Sequence, residues 1–337
     1  MTIELSELSD AVQKAFPASK LKPSRDENWQ LITEMGWLML DLPEDLGGLG
    51  LKRDAVATIH HELGRVLPAA PLIPALLGLQ GIAASATLTG KTNWVERICG
   101  GEYVPLHMLP AAVEKHDDGR YHGRIAGVFE GDMARHILAG LGDFYVLIPL
   151  DGPEITLHEQ SLWDESRRLF DVELTGYQID PSLVVAEGPA VQALQDNLAI
   201  SAQLALSADS LGAAGALLDM TIEYLKMRKQ FDRPLAMFQA LKHRVADLKV
   251  RLVAAEALFW SRIAGDPTPL EIGAVKAHAT SLFRDIAEES IQLHGGIGLT
   301  EEHPCHLFFK RAFLNCQLCG NEDYWEEKTG RLVLDAS

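Results

Sequence analysis

Residues 189–231 read PAVQALQDNLAISAQLALSADSLGAAGALLDMTIEYLKMRKQF, and this stretch decides the fold. It contains no proline after Pro189, and the next proline along the chain is Pro234. Proline ends or kinks a helix, so its absence allows one uninterrupted helix here. The stretch therefore predicts a helix of about 40 residues, which is roughly 60 Å long at 1.5 Å per residue.

Two further segments repeat a helical pattern after this stretch. Apolar residues stand alternately three and four positions apart from Phe238 to Phe259, and again from Ile272 to Ile286. That spacing places them on one face of each helix and is typical of near-parallel helix packing. Residues 186–337 are therefore predicted to form a long-helix bundle.

The pattern changes upstream of the bundle. Residues 102–185 contain short runs rich in β-branched and aromatic residues, divided by Gly, Pro and Asp, which predict a small β domain. These runs are Tyr121 to Phe129, His136 to Leu141, Asp143 to Leu150 and Leu169 to Ile179. Residues 1–101 favour helices, among them Trp29 to Leu40 and Asp54 to Leu67. The predicted fold class is α+β, with an N-terminal helical domain, a middle β domain and a C-terminal bundle.

Composition restricts the partners. The chain of 337 residues carries 47 acidic and 30 basic residues, a net charge of −17. Such a surface repels phosphate backbones and anionic headgroups, so neither nucleic acid nor a membrane is expected as a partner. The uncharged stretch from Val66 to Gly90 is interrupted by prolines, and it predicts a loop that enters a buried helix.

Cysteine and histidine usage points to neither disulfides nor a metal. Four cysteines are too few for a disulfide framework, and the pair Cys316 and Cys319 has no second CxxC motif to complete a zinc site. The twelve histidines show no HExxH or other metal spacing, so no metal is assigned. The N-terminus lacks the features of a signal peptide, and a reduced cytoplasm is expected.

Two motifs at the ends of the predicted long helices carry chemistry. The first motif is Arg228-Lys229-Gln230-Phe231 at the end of the first helix, together with Phe238-Gln239 at the start of the second. The second motif is Gln292-Leu293-His294-Gly295-Gly296-Ile297-Gly298, which ends the third helix. A cation at a helix C-terminus can simply complement the helix dipole, and glycines can simply stop a helix. Alternatively, a guanidinium binds phosphate, amides bind polar ligand edges, and glycines let a diphosphate approach the backbone.

Taken together, the two motifs resemble those of the acyl-CoA dehydrogenase family. The Pro43–Gly50 loop and Lys310-Arg311-Ala312 are also similar to that family. The resemblance implies a helical–β–helical fold, FAD, an acyl-CoA thioester substrate, and assembly as dimers or tetramers. It further implies that an electron-transferring flavoprotein or a similar acceptor receives the electrons.

The resemblance assigns FAD-binding residues to this chain: Arg228, Phe231, Gln239, Gln292, Gly295 and Gly296. In the family, these positions reach across the dimer interface into the flavin site of the neighbouring subunit.

The family's catalytic positions are not matched. The catalytic Glu usually stands 23 residues after the second glycine of His-Gly-Gly, where this chain has Cys319. Other members place it 26 residues before the Arg of Arg-Lys-x-Phe, where this chain has Ala202, followed by Gln203 in place of the family's usual Arg. The β zone also lacks the family's Thr-Glu-Pro-x-Ala-Gly-Ser-Asp loop, and His107, Met108 and Leu109 stand in this region. This chain therefore matches the family at the positions that contact a neighbour's flavin, and it departs from the family at the positions that serve the subunit's own flavin.

Two functions are compatible with this pattern. The chain resembles the smaller, non-catalytic subunit of the α2β2 acyl-CoA dehydrogenases of steroid side-chain degradation, which completes the flavin site of a homologous, Glu-bearing partner. Alternatively, it is a self-sufficient FAD enzyme with a displaced base such as Asp209, which lies about two helical turns from Ala202. Relatives such as oxidases form a smaller third class.

Overall fold

The computed structural model describes residues 4–18, 21, 24–109, 111–265 and 267–335. The α-helices are α1 (Leu5–Ala15), α2 (Arg25–Glu34), α3 (Arg53–Gly64), α4 (Leu72–Ala84), α5 (Lys91–Cys99), α6 (Pro189–Met227), α7 (Gln239–Ile263), α8 (Pro269–His294), α9 (Cys305–Gln317) and α10 (Glu322–Asp335). The strands are β1 (Ala112–Lys115), β2 (Tyr121–Phe129), β3 (His136–Leu141), β4 (Phe144–Pro149), β5 (Ile155–Gln160), β6 (Leu169–Tyr177), β7 (Val184–Glu187), β8 (Lys229–Gln230) and β9 (Arg233–Pro234).

This order of elements confirms the predicted fold class, with helices first, then β-sheets, then long helices. By its internal contacts the chain forms two units that interleave in sequence. The first unit comprises residues 1–22, 53–68 and 203–337, and the second comprises residues 23–52 and 69–202. The division into three domains at 1–101, 102–185 and 186–337 stays a proposal.

The second unit contains two antiparallel sheets. One has the strand order β1-β2-β6-β5 and the other the order β3-β4-β7. Their inward side chains form one apolar cluster, to which Ile125 and Val172 contribute from the first sheet and Ile137, Val146 and Ile148 from the second. From Val172 to Thr175 in β6, buried and exposed residues alternate as a half-buried strand requires.

The first unit is built on long helices. Helix α6 has 39 residues, as the absence of proline predicts. Helix α8 buries Ile272, Val275, Ala279, Leu282 and Ile286, the whole apolar face that the sequence indicates. Thr268 and Glu271 start α8 with a capping box, in which each side chain accepts a hydrogen bond from the backbone of the other.

One predicted helix end and one predicted buried face differ from the structure. The helix expected over Trp29 to Leu40 ends at Glu34, because Gly36 adopts a left-handed backbone at φ 70° and a separate 3₁₀ turn follows. On α7, burial begins only at Leu248, and Leu241 and Val245 stay half-exposed. No α-helix in the described ranges is both long and apolar enough to cross a bilayer.

Helices α3 and α6 approach each other within backbone contact. A Cβ atom placed on Gly212 would lie 1.8 Å from the carbonyl oxygen of His61, and one on Gly64 would lie 2.1 Å from that of Asp209. Real Cβ atoms do not come this close to backbone, so both glycines are needed for the packing of these helices.

We predict that Gly212→Ala lowers the free energy of unfolding by about 1–3 kcal/mol or more, because the backbone must move to admit the methyl group. Gly330→Ala is the matched control. Gly330 is an exposed helical glycine with open space around its Cβ position, so Ala should stabilise by about 0.5–1 kcal/mol. Urea denaturation measures both. Equal stability of the two variants would contradict the tight packing.

Candidate functional site

A tight hairpin follows helix α6 and carries the first predicted motif. The carbonyl oxygen of Arg228 accepts a hydrogen bond from Leu235 N–H at 2.8 Å, and β8 pairs with β9. Phe231 and Asp232 form the turn with φ angles of 56° and 60°, both left-handed. Two consecutive left-handed residues are the requirement of a type I′ hairpin turn. The turn leaves the Phe231 ring 86% exposed, in edge contact with Phe238.

The polar side chains of the FAD motifs are exposed. Arg228 follows α6, Gln239 begins α7, and Gln292 lies in the last turn of α8. Within the described part of the chain, none of the three side chains has a hydrogen-bond or ion-pair partner. A guanidinium and two amides that no protein group satisfies remain available for an external ligand.

The glycines of the second motif leave the backbone open. Gly295 has φ 66°, and a Cβ on either Gly295 or Gly296 would meet nothing within 4 Å. Both are exposed. The Gly295 N–H already donates to the carbonyl oxygens of Ile291 and Gln292, so the glycines offer close approach at an exposed surface. The unpaired guanidinium of Arg228 is the kind of group that binds a diphosphate. In chemical type, these residues of the first unit fit the diphosphate and adenosine parts of FAD.

Neither of the two expected base positions carries a carboxylate. Ala202 is buried, and the buried Gln203 beside it leaves its Oε1 atom without a hydrogen-bond partner. Burial raises the pKa of the Cys319 thiol to about 11, although the ammonium group of Lys276 opposes the shift. A thiol with that pKa stays protonated at neutral pH, so it is a poor base and a poor nucleophile.

The turn around Cys319 is held by hydrogen bonds of the protein itself. The fully buried Lys276 donates from Nζ to the carbonyl oxygens of Gly320 at 2.7 Å and Cys316 at 3.3 Å. Trp325 Nε1 donates to the Cys319 carbonyl oxygen at 3.1 Å. The nearby carboxylate of Glu322 accepts from Ser281 Oγ at 2.6 Å and lies 3.4 Å from Arg284.

Asp209 belongs to a buried polar network. Only 4% of it is exposed, and its Oδ2 accepts from Asn315 Nδ2 at 2.7 Å. Its Oδ1 lies 3.8 Å from Nη1 of the buried Arg311. His60 faces the same carboxylate, and burial lowers the pKa of His60 to about 4. These neighbours give Asp209 a structural role inside the first unit.

In the second unit, the segment with His107 is also fixed internally. His107 is buried, its Nε2 lies 2.8 Å from the Ala126 carbonyl oxygen, and its backbone N–H donates to Leu138. Its side chain therefore already has a partner within this chain.

Comparison with known proteins gives the family. The N-terminal domain model of the acyl-CoA dehydrogenases matches residues 7–102, and their C-terminal domain model matches residues 195–326. The acyl-CoA dehydrogenase IpdE2 of Mycobacterium tuberculosis is 32% identical over 291 residues, which cover 86% of this chain and 81% of the relative. The chain belongs to the acyl-CoA dehydrogenase family.

Solved structures agree on the fold. A variant of the Tcur3481-Tcur3483 steroid ACAD matches with a TM-score of 0.86 and 24% identity, covering 98% of each chain. The ChsE4-ChsE5 complex from Mycobacterium tuberculosis matches with a TM-score of 0.85 and 22% identity, covering 99% of this chain and 98% of the other. This member of the family therefore has the family fold over nearly its whole length.

One cluster was not recognised in the sequence. His294, His303 and Cys305 come together with one potential ligand atom each within 4.8 Å of the others. No short regular spacing in the sequence marks these residues, because they lie on α8, on the following loop and on α9. Histidines that flank a glycine-rich helix end were the signal available.

We predict that Asp209→Asn lowers the free energy of unfolding by about 1–3 kcal/mol, because a buried guanidinium and amide lose their charged partner. The control is Asp219→Asn on the same helix, where an exposed carboxylate 3.7 Å from Arg65 should contribute less than about 0.5 kcal/mol. Denaturant unfolding and acyl-CoA oxidation are measured together. A stable Asp209→Asn protein that has lost all oxidation would instead make Asp209 the displaced base.

Proposed function

We propose that this chain is the non-catalytic subunit of an FAD-dependent acyl-CoA dehydrogenase. It would supply Arg228, Phe231, Gln239, Gln292, Gly295 and Gly296 to the flavin site of a homologous partner chain that bears the catalytic Glu. One contrast carries the proposal: the polar side chains of Arg228, Gln239 and Gln292 are exposed and have no partner in the described part of the chain, whereas the base position holds a protonated thiol.

The reaction itself requires what this chain lacks. Removal of the α-proton of a thioester needs a carboxylate within reach of that carbon, with a pKa raised towards neutrality. When bound, FAD supplies a hydride acceptor for the β-carbon. With neither Cys319 nor Ala202 able to take the proton, the partner's carboxylate would do so. An electron-transferring flavoprotein or a similar acceptor would then collect the electrons.

The residues of this chain would act by holding and orienting the cofactor. The planar guanidinium of Arg228 can contact two phosphate oxygens at once, and the amides of Gln239 and Gln292 can bind polar edges of the nucleotide. The exposed Phe231 ring offers an apolar surface for stacking. The type I′ turn places Phe231 at the tip of the hairpin that begins at Arg228, so one short element carries both residues.

Two similar solved structures support a proposal for the substrate and the assembly. One similar structure is of a steroid ACAD and another is a complex of two chains, ChsE4 and ChsE5. We therefore propose that the substrate is the CoA thioester of a steroid side chain. The proposed assembly is an α2β2 heterotetramer. The described thiols, at all four cysteine positions, are free, which suits a cytoplasmic location.

A self-sufficient enzyme with Asp209 as its base is the second candidate. The buried hydrogen bonds of Asp209 with Asn315 favour the structural role, because a working base must release one of these contacts to reach substrate.

We predict that Arg228→Ala weakens FAD retention by the complex about 10- to 150-fold, the equivalent of a charge-assisted contact of roughly 1.5–3 kcal/mol. Arg228→Lys should rescue only in part, since an ammonium is a point donor and not a planar fork. Lys229→Ala, at the neighbouring exposed cation, is the control and should change retention little. Flavin fluorescence during dialysis measures the affinity. Unchanged retention in Arg228→Ala would mean that Arg228 only complements its helix.

A further inference from the structure

The connection between α8 and α9 gathers three metal-ligating side chains. His294 is the last residue of α8, Cys305 is the first residue of α9, and His303 lies in the loop between them. His294 and Cys305 are buried and His303 is half-buried. The imidazole rings of His294 and His303 lie 4.3 Å apart between centroids.

The orientation of His294 leaves one nitrogen without a partner. Its Nδ1 lies 2.7 Å from the carbonyl oxygen of Ser290, which can only accept, so Nδ1 carries the proton. In a neutral ring with its proton on Nδ1, Nε2 presents a bare lone pair. That Nε2 atom is buried and has no hydrogen-bond partner in the described part of the chain. A backbone carbonyl on Nδ1 with Nε2 free is the usual arrangement of a metal-binding histidine.

The other two residues are similarly held. The backbone N–H of Cys305 donates to His303 Nδ1 at 3.3 Å, which holds the imidazole of His303 beside the start of α9. A metal ion at this nitrogen would replace that hydrogen bond. The Tyr224 ring stacks on His294 at 4.4 Å and makes an edge contact with His303 at 5.8 Å. Tyr224 Oη also donates to the His294 carbonyl oxygen at 3.2 Å. Both imidazoles are thus positioned before any ion binds.

We propose that His294, His303 and Cys305 bind one divalent metal ion of the zinc type. Two neutral imidazoles and a thiolate are borderline and soft ligands, which suit Zn²⁺ and disfavour Mg²⁺ and Ca²⁺. Tetrahedral bonds of about 2.0–2.3 Å would bring the ligand atoms to about 3.3–3.6 Å from one another. From separations of up to 4.8 Å, this requires a contraction of at most about 1.2–1.5 Å.

Binding would join the end of α8 to the start of α9 on either side of Gly295 and Gly296. The thiol proton of Cys305 leaves to solvent as the sulfur–metal bond forms, and no oxidation state changes. Three protein ligands leave the fourth tetrahedral position for a water molecule. The inference does not depend on the proposed function, because the three ligands belong to this chain alone.

The test uses Co²⁺ as a coloured substitute for Zn²⁺. The purified chain is treated with a chelator, and the chain is then titrated with CoCl₂. We expect one equivalent to bind, with thiolate-to-metal charge-transfer absorption and the visible bands of tetrahedral Co²⁺. Cys305→Ala should abolish the charge-transfer absorption, and His303→Gln should weaken binding by at least roughly 10- to 100-fold. Added Zn²⁺ should displace the colour.

Matched controls separate the cluster from general thiol or imidazole binding. Cys316→Ala removes another buried thiol, and His306→Gln removes a half-buried imidazole on the same helix as Cys305. Both should bind Co²⁺ as the parent chain does. Circular dichroism checks that each variant folds. If Cys305→Ala does not fold, the loop variant His303→Gln tests the site. No charge-transfer absorption in the parent chain, or equal binding by His303→Gln, would overturn the proposal.

Discussion

The near-contact of the backbones of α3 and α6 is the constraint on which the first unit depends. Gly64 and Gly212 permit it, and no side chain fits between the helices at these points. This packing removes water from Asp209, whose own backbone carbonyl lies at Gly64. A buried carboxylate is costly unless other groups satisfy it, so Asn315 and Arg311 of α9 must stand opposite. The acid that the sequence offered as a displaced base thus joins α6 to α9 through these contacts.

The two halves of the functional site differ in whether their polar groups have hydrogen-bond partners within the chain. Around Cys319, polar groups are satisfied within the chain, by Lys276 for the carbonyl oxygens and by Ser281 for the Glu322 carboxylate. At the ends of α6 and α8, by contrast, Arg228 and Gln292 reach solvent. Polar groups that are already satisfied have little to offer a ligand, and unsatisfied ones at the surface have much. This contrast is the basis for the proposal that the chain completes a neighbour's flavin site and lacks a catalytic base of its own.

The sequence predicted the elements whose causes are local. The absence of proline predicted α6 to within a few residues, and the three-four spacing predicted the buried face of α8. It did not predict the end of α2, where the left-handed Gly36 outweighed an apolar pattern that continued to Leu40. Propensity and periodicity act over one or two turns, so boundaries set by a single backbone conformation are missed.

The site was predicted less completely, for a related reason. Chemical type and spacing selected the residues of the FAD motifs, but exposure and partners are tertiary properties. The partners of Asp209 lie about a hundred residues further along the chain. His294 and Cys305 meet only because the loop after α8 turns back on itself, and that return is not encoded in any short spacing.

The most direct test of a non-catalytic, flavin-completing subunit is the flavin stoichiometry of the purified complex. The chain is expressed alone and together with a homologous, Glu-bearing chain, the first candidate being one encoded in an adjacent reading frame. FAD per chain is then measured from absorbance after denaturation. The account predicts little FAD on the chain alone and about one FAD for each pair of unlike chains. A chain that is saturated with FAD by itself and oxidises an acyl-CoA, or a complex with two FAD per pair, would contradict it.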